Sequence, residues 1–284
     1  MSSIEKEILF WFENNERDLP WRKTTPWGVM VSEFMLQQTP VSRVLPKWNE
    51  WMERWPTPAD LAAASTADVI TAWGRLGYPR RCLRLHESSK VIAADFNNEV
   101  PKDENVLRTL PGVGEYTAAA IAAFAYQEPS LVLDVNIRRV FGRVFDGVQY
   151  PIGTPTNAER AHRRELIPTE DAHVWAAATM ELGALVCTSR SPLCHECPVM
   201  NFCKWRAKGF PESVQIRKTQ TWHGTDRQCR GTILQALRES PSLSELSLKQ
   251  IWHDDSQVER ALNGLLKDGL IWINAETHYA LPAM

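Results

Sequence analysis

The chain's 284 residues, 44% hydrophobic and 23% charged, suit one large globular domain with a smaller appendage, or two modest domains. A formal net charge of −2 gives no general push toward nucleic acid, so any such affinity must reside in local patches. No apolar run approaches spanning length and the charged, amphipathic start MSSIEKEILFWFENN is unlike a signal peptide, which argues against a membrane protein and makes the cytoplasm the expected compartment.

Hydrophobic residues recur at helical spacing nearly everywhere up to Arg206, with short loops marked by proline at Pro20, Pro56 and Pro101. That pattern predicts an all-α domain of roughly ten helices. The first stretch of chemical interest is Trp27–Thr39, WGVMVSEFMLQQT. Val29, Met30, Val31, Phe34, Met35 and Leu36 surround nearly the whole circumference of a helix, so this helix is internal. Glu33 and Gln37, four apart, share one face. A carboxylate in such apolar company is expected to have a raised pKa and to keep a proton near neutrality. An ion pair between Glu33 and a nearby arginine such as Arg22 fits the same residues. Farther along, Arg75, Arg80, Arg81 and Arg84 form one basic group, and Arg138, Arg139 and Arg143 another. Each suits either phosphate contact or a solvated helix face.

The stretch Leu107–Val140 organises the rest: LRTLPGVGEYTAAAIAAFAY, closing on LVLDVNIRRV. Gly112 and Gly114 supply the positive φ values a tight inter-helix turn needs and leave backbone N–H groups uncovered. Such a turn feeding a helix N-terminus is a natural seat for a phosphate oxygen. The next helix, expected over Glu115–Ala125, is nearly all alanine and can pack closely on its neighbours. Asp134 then stands ahead of an Arg-rich helix, as a functional carboxylate or as a plain N-cap.

Six cysteines in a cytoplasmic chain suit metal binding rather than disulfides. Cys187, Cys194, Cys197 and Cys203 are spaced C-x6-C-x2-C-x5-C, four thiols within 17 residues. Four-thiolate zinc sites usually pair two short cysteine knuckles; here there is one, which tilts the reading toward a [4Fe–4S] cluster. Cys82 and Cys229 are expected to be core thiols. From Phe210 to Asp226 the sequence turns polar and reads as a linker. Three helices follow, over Cys229–Glu239, Leu246–Trp252 and Gln257–Lys267, then a hairpin of Leu270–Ile273 and His278–Leu281 around Asn274–Thr277. Three helices and a hairpin resemble a winged helix, whose third helix typically enters a DNA major groove. The expected domains are therefore 1–210, a linker 211–226, and 227–284.

SEFMLQQT, LGY, LPGVGEYT, LDVNIRRV and the four-cysteine loop occur in the order found in the helix-hairpin-helix base-excision glycosylases. The chain most resembles the adenine DNA glycosylase (MutY) branch over about residues 5 to 212. The resemblance implies an all-α pair of subdomains with double-stranded DNA and a flipped base in the cleft between them. It implies that the backbone of Leu110, Gly112, Val113 and Gly114 grips phosphates, often with a monovalent cation. Glu33 matches the acid that protonates adenine at N7. Asp134 matches the carboxylate that stabilises the cationic sugar or bonds to it transiently, a division of labour like that of a retaining glycosidase. Tyr116 and Asn136 match residues that orient the reacting groups, and Arg22 one near the adenine pocket. Gln37, Gln38 and Tyr78 match residues that fill or probe the helix around the mispair, Tyr78 beside the oxidised guanine. The cluster would shape a basic loop near Arg190, Lys204 and Arg206 against phosphates.

Related bifunctional enzymes carry lysine at the position of Tyr116, and a phenol cannot form a Schiff base, so the expected reaction is monofunctional. Two departures stand out. Pro79 follows Tyr78 where many members have a second aromatic, and the winged-helix-like end replaces a hydrolase-like domain that helps recognise 8-oxoguanine. The expected function is hydrolysis of adenine opposite 8-oxoguanine or guanine by a monomer acting at the nucleoid. A thymine glycosylase for G:T mispairs is the alternative within the fold; an iron–sulfur DNA-binding regulator is the alternative outside enzymology.

Overall fold

A computed structural model describes residues 2–213 and 222–283. Its helices in chain order begin with α1 (Ser3–Asn15), α2 (Pro26–Leu36), α3 (Val41–Arg54), α4 (Pro58–Ala62) and α5 (Thr66–Trp73). They continue with α6 (Arg80–Asp95), α7 (Glu104–Leu107), α8 (Glu115–Tyr126), α9 (Val135–Phe141) and α10 (Asn157–Arg164). Next are α11 (Ala172–Leu185), α12 (Lys204–Ala207), α13 (Asp226–Glu239), α14 (Glu245–Gln250) and α15 (Asp255–Lys267). Two strands, β1 (Trp272–Ile273) and β2 (Tyr279–Ala280), close the chain. The all-α expectation for the main part holds. The helix count exceeds it because α4, α7 and α12 are single turns, too short to show a period.

The chain forms two compact units interleaved in sequence. One comprises Met1–Val29, Lys102–Arg108 and Val113–Arg217. Its first helix starts on a capping box, Ser2 accepting from the Glu5 amide and Glu5 accepting from that of Ser2. Ile8 and Phe12 of α1 pack with Ala120 and Ala123 of α8, Val140 and Phe141 of α9, and Leu182 of α11. The small side chains of α8 permit this close approach, as its alanine run predicts. α9 runs straight on into one π-helical turn, Gly142–Asp146.

The other unit comprises Met30–Pro101, Thr109–Gly112 and Lys218–Met284. Its core holds edge-to-face tryptophans, Trp51 lying 4.8 Å from Trp55 and 5.5 Å from Trp73 between ring centroids. Helices α13 to α15 bury Ile233, Leu234, Leu237, Val258, Leu262 and Leu265. They are tied to the helices of 66–95: Arg238 donates to the Ile70 carbonyl at 3.1 Å, and Arg80 lies 3.6 Å from Asp268. The hairpin pairs Trp272 with Ala280 and Ile273 with Tyr279. Its strands are shorter than expected because Leu270 and Ile271 are buried, Leu270 donating to Leu265 at the end of α15 rather than to a strand. Leu243 pairs with Tyr279 through two 2.9 Å bonds, adding a third short segment to the ribbon. Half of the linker expected over 211–226, residues 214–221, lies outside the described residues.

Candidate active site and cluster loop

Glu33 lies on α2, 5% exposed, between Met30, Phe34 and Met35, which are fully buried. The helix stops at Leu36, so Gln37 does not extend the face of Glu33 as its four-residue spacing predicts. The stop has a cause the sequence hides. The buried guanidinium of Arg81 donates to the carbonyls of Phe34 (2.9 Å), Met35 (3.0 Å) and Gln37, and to Thr39 Oγ1 (2.8 Å). It thereby satisfies the acceptors a helix C-terminus leaves open. Burial lowers the Arg81 pKa to about 10 without discharging it. Gln38, at φ +57, then turns the chain outward and is exposed. Arg81 is thus a clamp on the Gln37–Gln38 turn and is closed to phosphates. Of its sequence neighbours, Arg84 pairs with Glu87 at 2.8 Å, while Arg75 is exposed. Tyr78 is 39% exposed and held at φ +46, an unusual conformation for an aromatic residue.

The 110–114 turn is built from both units. In one, Leu110 is buried and Ser88 donates to the Pro111 carbonyl at 2.6 Å. Gly112, at φ +79, has Arg84 Cβ 2.6 Å and Phe34 3.0 Å from where its own Cβ would stand, so no larger residue fits. In the other, Val113 is buried and Gly114 N-caps α8 with no side chain on the first amides. A helix N-terminus without a side-chain cap is the kind of place where backbone N–H groups can meet an anion. Tyr116 sits in that first turn, half-buried against the core.

Asp134 is the N-cap of α9, so the plain structural role is real. Oδ1 accepts from the amides of Asn136 (2.9 Å) and Ile137 (2.6 Å), and Oδ2 from Asn136 Nδ2 (2.8 Å). Burial raises its pKa, opposed by those donors and by the charge of Arg139. Asn136 is itself fixed, accepting from Arg139 Nη2 at 2.8 Å. Arg139 also donates to the carbonyls of Gly183 (2.6 Å) and Cys187 (2.8 Å). Gly183 went unnoticed in the sequence, yet a Cβ there would stand 2.8 Å from that of Asn136. The signal was a glycine inside an alanine-rich helix. The Arg138–Arg139–Arg143 group is not a DNA patch. Arg139 and Arg143 are buried, and Arg138 pairs with Glu159 at 2.7 Å.

Arg22 stacks 5.1 Å over Phe12, lies 3.2 Å from buried Glu181, and donates to the Arg17 carbonyl at 2.6 Å. Glu181 also takes three bonds from Arg17. Burial pushes the Glu181 pKa up, but these donors outweigh it and the net shift is downward.

Cys187, Cys194, Cys197 and Cys203 line one cavity together with Arg143, Val144 and Trp205. Among the described residues no three cysteine, histidine or acidic side chains are close enough to share a single metal ion. A zinc ion would draw all four sulfurs to about 2.3 Å from one centre. Four thiols lining one cavity are the donor set that a metal cluster needs. Arg143 fixes the loop, donating to the Cys187 sulfur at 3.4 Å and the Thr188 carbonyl at 2.8 Å, and stacking 4.5 Å over Trp205. Burial pushes the Cys197 thiol up to about 12, so iron must displace its proton on binding. Cys82 and Cys229, as expected, are fully buried.

The HhH-GPD superfamily of base excision DNA repair proteins matches residues 31–166, and the iron–sulfur binding domain of endonuclease III matches 187–203. The adenine DNA glycosylase of Mycolicibacterium smegmatis is 47% identical over 285 aligned positions, covering 99% of this chain and 97% of that protein. The chain belongs to the adenine DNA glycosylase family. A second member, from Mycobacterium tuberculosis, is 47% identical over 98% of the chain and 93% of its own length. Both matches run through the C-terminal helices and hairpin, so that ending is shared within the family. Among solved structures, a thermostable thymine-DNA glycosylase superposes with a TM-score of 0.67 at 25% identity, over 72% of this chain and 95% of that one. In this family setting the four-cysteine loop is a [4Fe–4S] site, its ligands being Cys187, Cys194, Cys197 and Cys203.

Proposed function

We propose that the chain releases adenine from DNA by hydrolysing its N-glycosidic bond where the adenine faces 8-oxoguanine or guanine. The observation that carries this reading is the contrast between two carboxyl groups. Glu33 is only 5% exposed, on a helix whose neighbouring Met30, Phe34 and Met35 are fully buried. Asp134, whose pKa burial raises on balance, is held on three donors and lies near a guanidinium, all of which oppose that rise. Different surroundings assign different roles, as in other paired-carboxylate sites.

Glu33 gives its proton to N7 of adenine. The bond to C1′ then breaks with its electron pair leaving on the purine, and Asp134 stabilises the cationic sugar or bonds to it until water adds. Asn136 aims Asp134, and Tyr116, lacking an amine, forms no Schiff base, so the product is an abasic site. The N-terminus of α8, which carries no side-chain cap, and the exposed Arg190, Lys204 and Arg206 supply phosphate contacts, the cluster holding the latter loop in shape. Arg22 borders the adenine pocket, and Gln37, Gln38 and Tyr78 attend the rest of the mispair. The chain works as a monomer on double-stranded DNA. Its third C-terminal helix begins Asp254-Asp255 with Glu259 a turn later, so that helix lacks the charge for a major groove.

Product chromatography on duplexes with one A:8-oxoguanine, A:guanine or G:T pair tests the reading. Adenine is expected from the first two. Release of thymine alone would favour the alternative glycosylase, though thymine offers Glu33 no N7. Sequence-specific binding without base loss would indicate a regulator. Borohydride trapping is expected to capture no covalent adduct.

A further inference from the structure

Helix α13 carries three arginines, Arg227, Arg230 and Arg238, and all three line a groove of about 1190 Å³ whose other wall is Gln37–Gln38 and Gly74–Arg81. That volume exceeds the roughly 300–1000 Å³ of a small-molecule pocket, and the groove is open, as suits a polymer strand. Most of its arginines are already engaged. Arg81 caps α2, Arg238 holds Ile70, and Arg80 and Arg230 share Asp268. Arg227 differs. Among the described residues it has no carboxylate or carbonyl partner, and its guanidinium lies over two exposed rings. The distance is 4.8 Å to the ring of Tyr78 and 5.0 Å to that of Trp222. Tyr78 is kept in its left-handed conformation beside it, a backbone cost borne where function uses it.

Arg81 also lies 5.5 Å over the Tyr78 ring, whereas Trp222 has Arg227 as its cation. An exposed ring beside a guanidinium suits a nucleobase, which stacks on the aromatic face while the arginine donates to acceptors on its edge. Guanine presents the acceptors O6 and N7 there; 8-oxoguanine keeps O6 and adds a carbonyl at C8, while its N7 becomes a donor, so the arginine meets O6 or O8. We propose that Arg227 reads the oxopurine that stays in the duplex opposite the excised adenine, so that the C-terminal helices take part in mispair selection. This rests on the adenine glycosylase reading, since it needs an orphaned purine on that side of the helix.

The test is the dissociation constant of the full-length holoprotein for duplexes carrying non-hydrolysable 2′-fluoroadenosine opposite 8-oxoguanine, guanine or a tetrahydrofuran abasic analogue. Arg227→Ala is expected to weaken binding about tenfold or more opposite both purines and to leave the abasic duplex nearly unchanged. Arg227→Lys, which keeps the charge but loses the fork, is expected to behave like the alanine variant. Equal weakening on all three duplexes, with a salt slope shallower by about one, would make Arg227 a phosphate contact and overturn the proposal. No weakening on any would overturn it too. Adenine release by the wild type on the ordinary duplexes is read separately, so failure of the parent reading shows as no release whatever the binding preferences.

Discussion

At Asp134 one carboxylate both caps α9 and, in the proposed reaction, faces the sugar. Burial raises its pKa and its donors hold the rise in check. A carboxyl whose folded pKa lies above the unfolded value of about 3.9 costs stability at neutral pH. That cost fades as pH falls through the folded pKa and is gone below the unfolded one. Activity runs the other way, because the anion is the working form. The single-turnover rate is therefore expected to fall on an acid limb above the ordinary carboxylate range, and Asp134→Asn to lose turnover by about 10³-fold while still capping α9. An acid limb at the ordinary aspartate value would refute this. Glu33→Gln cannot donate the proton, and adenine release is expected to drop by about 10²–10⁴-fold while gel-shift affinity for the mispair is kept. A variant that turned over normally would remove Glu33 from the chemistry.

Helices α9 and α11 show how a site is aimed by packing. Alanine normally stabilises a helix interior by roughly 1 kcal/mol over glycine. At Gly183 the added methyl would stand 2.8 Å from Asn136, so Gly183→Ala is expected to lower both the melting temperature and the excision rate. Gly231 of α13 has nothing within 4 Å, and Gly231→Ala is expected to raise stability by up to about 1 kcal/mol. Thermal melts of the pair separate packing from propensity. The Arg17–Glu181 pair tethers the loop after α1 to α11. Its carboxylate is 2% exposed and its arginine 35%. Glu181→Ala is expected to cost about 2–4 kcal/mol in urea unfolding, toward the low end because Arg17 reaches solvent. The depressed Glu181 pKa makes its contribution complete above the unfolded pKa and lost as pH falls through the folded one.

Over the whole molecule the formal charge is −2, so DNA affinity must come from where arginine and lysine are left unpaired. Among the described residues Arg190, Lys204 and Arg206 have no carboxylate partner and are exposed on or beside the cluster loop. Replacing all three with alanine is expected to make the salt dependence of DNA binding shallower by about three. Cys197→Ser is expected to lose iron and to weaken DNA binding in the same direction, with most helical circular dichroism kept. Unchanged salt dependence in both variants would separate the cluster from DNA binding.

Local chemistry was legible in the sequence. A near-continuous apolar helix declared Glu33 buried, four cysteines within 17 residues declared the cluster, and the glycines declared the turn, because each depends on neighbours along the chain. Only Gly112 takes the positive φ expected of both glycines, Gly114 being extended at φ −91. What depended on distant partners was hidden. Arg81, Arg139 and Arg143 look like surface charge, and only folding reveals guanidiniums buried against backbone carbonyls. Gly183 matters because α9 presses on it, and Arg227 because the last helices fold back beside Tyr78. A residue's type fixes which bonds it can make; the tertiary fold decides which partner, 168 residues away or four, comes within reach.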